Sequence, residues 1–150
     1  MLGDRGVHTF DPIFWALDLK CPDSVEASYV GGNEQTHPLA TIVTYKFSAR
    51  EGKPPVKLTW YDGLEPPRPD ELEEGRRFGG KEGGILFIGD EGKIMTGYTG
   101  NSPRIIPETK MKAYKQPEPT LPRVEGTHEE DWIRAIKNGG RAGADFDYSG

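Results

Sequence analysis

The chain has 150 residues, with 19 Lys and Arg against 24 Asp and Glu, for a formal net charge of −5. No basic stripe is present to neutralise phosphates, which argues against nucleic acid, and no apolar run approaches the roughly 20 residues of a membrane span. Cys21 is the single cysteine, so an internal disulfide is excluded, and 34% hydrophobic residues with 20 Gly and 13 Pro fit one loop-rich domain over residues 1–150.

Phe10, Ile13, Phe14 and Leu17 recur at steps of three and four, which predicts a helix over residues 4–19. Pro12 is tolerable only in or near the first turns; deeper, it would kink the helix. Three strands are then expected, at 24–30, 40–49 and 56–61. In the last, Val56, Leu58 and Trp60 alternate with Lys57, Thr59 and Tyr61. Glu51-Gly52-Lys53-Pro54 makes a turn between the second and third.

Residues 62–84 break the pattern with Pro66, Pro67 and Pro69, an acidic run at 70–74 and two Gly-Gly pairs. A loop of this length inside a domain tends to be functional or mobile. A hairpin follows, 85–88 and 93–98 around Gly89-Asp90-Glu91-Gly92, and short edge strands are expected at 104–106 and 111–114. Pro117, Pro119 and Pro122 form an extended connector. Thr127 and Glu130 match a capping box. They open a second helix through Trp132, Ile133 and Ile136, which Gly139-Gly140 closes. Together these describe an α+β fold: a mostly antiparallel, open-faced sheet with helices on one face.

The densest chemistry lies in Gly3-Asp4-Arg5-Gly6-Val7-His8. Asp4 and His8 are four apart and share one helical face. A carboxylate beside an imidazole can fix its tautomer and stabilise its protonated form, which suits removal of a hydroxyl proton. The same spacing also fits a helix cap and a surface histidine. His37 reads as a loop residue, and the three histidines have no zinc-like spacing, so no metal is expected.

The run Gly3-Asp4-x-Gly6-x-His8-x-x-Asp11 resembles the motif that opens the C-terminal domain of the glucose–fructose oxidoreductase/inositol dehydrogenase family. The 84–92 strand and turn, the stretch from His128 through Trp132 to Gly139-Gly140, and Trp60-Tyr61-Asp62-Gly63 before prolines are similar to later parts of that domain. The resemblance implies that His8 is the acid/base at a substrate hydroxyl and that Asp4 supports it. Trp60, Tyr61 and His128 are then candidates to touch a sugar, polyol or derivative.

It also implies NAD or NADP, bound mainly by a nucleotide domain outside these residues, and a homo-oligomer joined through the open sheet face. That face is expected to bear residues such as Leu58, Trp60 and Ile42, or their alternates along the strands. No Gly-x-Gly-x-x-Gly follows a strand, and Lys53-Pro54 lacks the glutamate of the family's Glu-Lys-Pro, reading instead as a turn. The chain therefore reads as a fragment, inactive alone, with its compartment open. An NAD-dependent glycoside hydrolase of the same fold, or a non-catalytic carbohydrate-binding or scaffold domain, is the alternative.

Overall fold

The structure, a computed structural model, describes residues 2–149. It is an α+β fold in the order α1 (Leu2–Leu17), β1 (Ser24–Val30), β2 (Ala40–Phe47), β3 (Val56–Asp62), β4 (Gly84–Ile88), β5 (Lys93–Gly97), β6 (Arg104–Ile106), α2 (Glu108–Ala113), α3 (His128–Asn138) and α4 (Phe146–Ser149). The strands divide between two antiparallel sheets, β1-β2-β3 and β4-β5-β6. The chain itself divides into two units, Met1–Tyr114 and Lys115–Gly150.

In the first unit, α1 lays its periodic apolar stripe on the first sheet. Ile13 is buried, and Phe10, Phe14 and Leu17 pack around the same core with Phe47, Leu58 and Ile85. Phe10 meets Tyr45 and Trp60 edge-on at 5.4 and 5.5 Å, and Phe14 meets Phe47 at 5.8 Å. Cross-strand partners share a face. Val43 pairs with Trp60 and Tyr45 with Leu58, whereas Ile42 pairs with Tyr61. Leu58 and Trp60 therefore face α1, and Ile42 lies on the open face with the alternates Thr59 and Tyr61. Thr44, Lys46, Lys57 and Thr59 share that face, which is mainly polar.

Pro12 lies well past the first turns of α1. It has no N–H to offer the His8 carbonyl one turn back. Its ring fits because the β5–β6 connection presents Gly100, where any Cβ would sit 2.8 Å from the proline.

The helix ends in a Schellman turn. Asp18 takes the left-handed conformation (φ 51°), and the Leu19 N–H bonds the Phe14 carbonyl at 2.9 Å. The β2–β3 turn reaches over to hold this end. Arg50 donates to the carbonyls of Leu17 (2.6 Å) and Asp18 (3.2 Å), while Lys53 donates to the Asp18 carboxylate at 2.8 Å. Cations here complement the negative end of the helix. Lys53, then Lys20, holds the Asp18 carboxyl below its usual range.

The second sheet separates two small cores. Ile85 and Phe87 point into the α1 core, while Leu86, Met95 and Ile106 meet Leu72 and Phe78 from the 63–83 segment. The strand expected at 111–114 is instead the last turn of α2. Acidic Glu108 opens that helix and Lys110 and Lys112 close it, the order its dipole favours.

In the second unit, the capping box closes as the sequence predicts. The Glu130 N–H donates to Thr127 Oγ1 at 3.3 Å, and the Thr127 N–H donates to Glu130 Oε2 at 2.8 Å. Gly139 ends the helix at φ 65°. No residue of α3 is buried, and Trp132, Ile133 and Ile136 stand exposed.

The clamp on α1 depends on the shape of the turn that carries it. Glu51 (φ 45°) and Gly52 (φ 79°) are both left-handed, a type I′ turn closed by mutual Arg50–Lys53 bonds. Space around Gly52 is open, so Gly52→Ala should cost roughly 1 kcal/mol of backbone strain alone. Glu51→Gly should stabilise slightly. Urea unfolding of the two variants checks this, and equal midpoints would contradict the turn assignment.

Candidate functional site

Asp4 and His8 stand one turn apart on α1, and both are exposed. At about 100° per residue, the buried positions Gly6, Thr9 and Ile13 mark one side of the helix. Asp4, His8, Asp11 and Trp15 mark the opposite side, and Trp15 is 63% exposed. Among the described residues no hydrogen bond joins Asp4 to His8. The pair is two accessible groups on one face, which a hydroxylated ligand could bridge.

Between them, Arg5 ties this turn to the second sheet. Its guanidinium lies 2.6 Å from Glu82 Oε2 and 5.5 Å from the centre of the Tyr98 ring. Glu82 precedes β4 and Tyr98 follows β5. Nothing local in the sequence signals this contact, because the partners are 77 residues apart. The run that carries Asp4 and His8 is thus anchored by the residue between them.

The remaining candidates do not converge. Trp60 faces α1 as a wall of the core, and its Nε1 is buried without a hydrogen-bond partner. Tyr61, the next residue of β3, points to the other face, so the two rings cannot stack on one sugar. His128 belongs to the other unit. Its side chain is 92% exposed, with Nε2 2.9 Å from Glu129 Oε1.

Among the described residues every paired strand runs antiparallel, so the strand–helix crossover that cradles a pyrophosphate does not form. Gly80 and Gly83 instead bond each other across a turn ahead of β4, at 2.8 and 3.2 Å. Lys53, the one superficial likeness to a catalytic lysine motif, is engaged at the end of α1. No family model matches this chain, and no curated protein matches its sequence.

The 63–83 segment, which ends beside the Arg5 anchor, carries neither helix nor strand but is tied down from Arg68 onward. Arg68 donates to the carbonyls of Leu72 (3.2 Å), Glu73 (2.7 Å) and Arg76 (2.6 Å). Leu72 is 5% exposed. Glu73 accepts from Arg104 at 3.2 Å and from the Glu108 backbone N–H, and Arg104 also pairs with Glu108. Glu71 pairs with Lys93. This segment is a fastened cover over the second core.

Bonds from Arg104, then from the Glu108 backbone N–H, hold the Glu73 carboxyl down at about 2, against 4.5 for a free glutamate. A depressed carboxyl stabilises the fold fully above the unfolded value and loses that contribution as pH falls toward the folded one. The window therefore runs from about pH 4.5 down to about 2. Glu73→Gln should be less stable than the parent at neutral pH, and the gap should shrink through this window. Urea midpoints at stepped pH test it; a constant gap would remove Glu73 as the source.

Proposed function

We propose that this chain is the substrate-side domain of an NAD(P)-dependent oxidoreductase acting on a sugar, polyol or derivative. One observation carries the reading: Asp4 and His8 stand on a single exposed face of α1, opposite the side that packs. The motif resemblance supports it, since Gly3 to Asp11 all fall on that helix.

In this reading His8 accepts the proton of a substrate hydroxyl as the attached carbon is oxidised. Asp4 orients the imidazole or holds a neighbouring hydroxyl, so that the substrate bridges the two. The nicotinamide that serves as oxidant is held by residues outside this chain. Trp60 contributes through the core rather than by stacking on the ligand. The open face of the first sheet, around Ile42, Thr59 and Tyr61, is mainly polar, and this reading places no contact between copies there.

The test is steady-state turnover of the full-length protein with a panel of sugars and polyols. His8→Ala should lower kcat by about 10²- to 10⁴-fold, the usual worth of a general base, with less change in KM. Asp4→Asn should lose less. Undiminished turnover in His8→Ala would take the histidine out of the mechanism. The 150 residues by themselves should give no turnover with either nicotinamide dinucleotide, and measurable activity would contradict the division of labour proposed.

A further inference from the structure

β1 is an uncovered sheet edge. Its neighbour in the sheet is β2 alone, and all seven residues of Ser24–Val30 are exposed. Val25, Tyr29 and Val30 are 55%, 67% and 69% exposed, and Leu39, bonded to the Val30 carbonyl, is 78% exposed. Such an edge offers a row of unpaired N–H and C=O groups. Of the common guards it has one charge, Glu26. It has no proline and no lysine, and its pairing with β2 runs without a bulge from Ser24↔Lys46 to Val30↔Ala40.

The strand's own sequence selects its occupant. Turned about Ala27, Ser24-Val25-Glu26-Ala27-Ser28-Tyr29-Val30 is complementary to an antiparallel copy of itself. Val25 meets Tyr29 of the partner subunit twice, a favourable β-branched–aromatic pairing. Glu26 meets a serine twice, and two alanines meet on the axis. Centring on Glu26 would set two carboxylates face to face. Centring on Ser28 would leave Val25 opposite a glycine outside the strand. Of these three registers, only the one about Ala27 pairs all seven residues without opposing charges.

We propose that two copies of this chain associate through β1, antiparallel about Ala27, so that two three-stranded sheets become one of six strands. The contact is isologous, as a two-fold dimer requires. It stands independently of the oxidoreductase reading, and it uses the sheet's edge rather than its open face.

Sedimentation velocity of the 150-residue chain over a range of concentrations tests it. The parent should form a concentration-dependent dimer. Ala27→Lys and Ala27→Glu each place like charges on the axis and should be monomeric, with circular dichroism matching the parent. An equimolar mixture of the two should recover the dimer. A parent that stays monomeric, a dimer that survives Ala27→Lys, or a mixture that fails to reassemble would each overturn the proposal. Dimer loss in Thr44→Lys alone would place the contact on the open face and overturn it as well.

Discussion

The seating of α1 on the first sheet is the constraint on which the rest depends. Phe10, Ile13 and Phe14 meet Tyr45, Phe47, Leu58 and Trp60, and burying such rings supplies most of the energy available to a small unit. Once that stripe is buried, the helix cannot rotate without exposing it. The outward face then follows from helical geometry alone, and it is the face with Asp4 and His8. The ends are also held by charge: Arg50 and Lys53 bind the C-terminal turn, beside the buried Leu19, and Arg5 the N-terminal one. Pro12 sharpens the point. A helix with a missing internal bond relies more on packing and on its anchors than on its own ladder.

The second sheet is stabilised differently. Its inner face borrows the α1 core through Ile85 and Phe87, while its outer face needs a cover that the chain builds without regular structure. Irregular backbone leaves carbonyls without partners, and these must be satisfied somewhere. Arg68 satisfies three of them from one planar fork, and Glu73 joins the cover to β6 and α2. Cover and sheet thus share an apolar core and are joined as well by charge-assisted bonds from Glu73 and Glu71, which makes their contact sensitive to acid.

What was legible in the sequence was what is encoded locally. The 3.6-residue stripe of α1, the alternation in β3, the 89–92 turn and the Thr127/Glu130 box all depend on neighbours within a few residues, and all are present. The misreadings come from long-range causes. Pro12 is accommodated by Gly100, far along the chain. The ties of the 63–83 segment were not readable either, because Arg68, Glu73 and Arg104 reveal their partners only after folding. The short α2 lacks an apolar rhythm, so its charges were the only sign of it. For the site, Asp4 and His8 were readable as a face because four residues make one helical turn. The Arg5 clasp was not readable, since nothing near Arg5 marks Glu82 or Tyr98.

The strand alternation also limits where a ligand could act. Trp60 and Tyr61 are neighbours in sequence and opposites in space, so a sugar at the first sheet meets one of them at most. Trp60 is already spent on Phe10. The chemistry proposed for the first unit therefore falls on the outer face of α1, where Asp4 and His8 stand exposed, rather than on the sheet. The proposed association uses β1 instead, whose seven residues contribute nothing to the buried set. The two surfaces share no residue. Loss of the acid/base pair would leave edge pairing intact, and a charge at Ala27 would leave Asp4 and His8 on their helix.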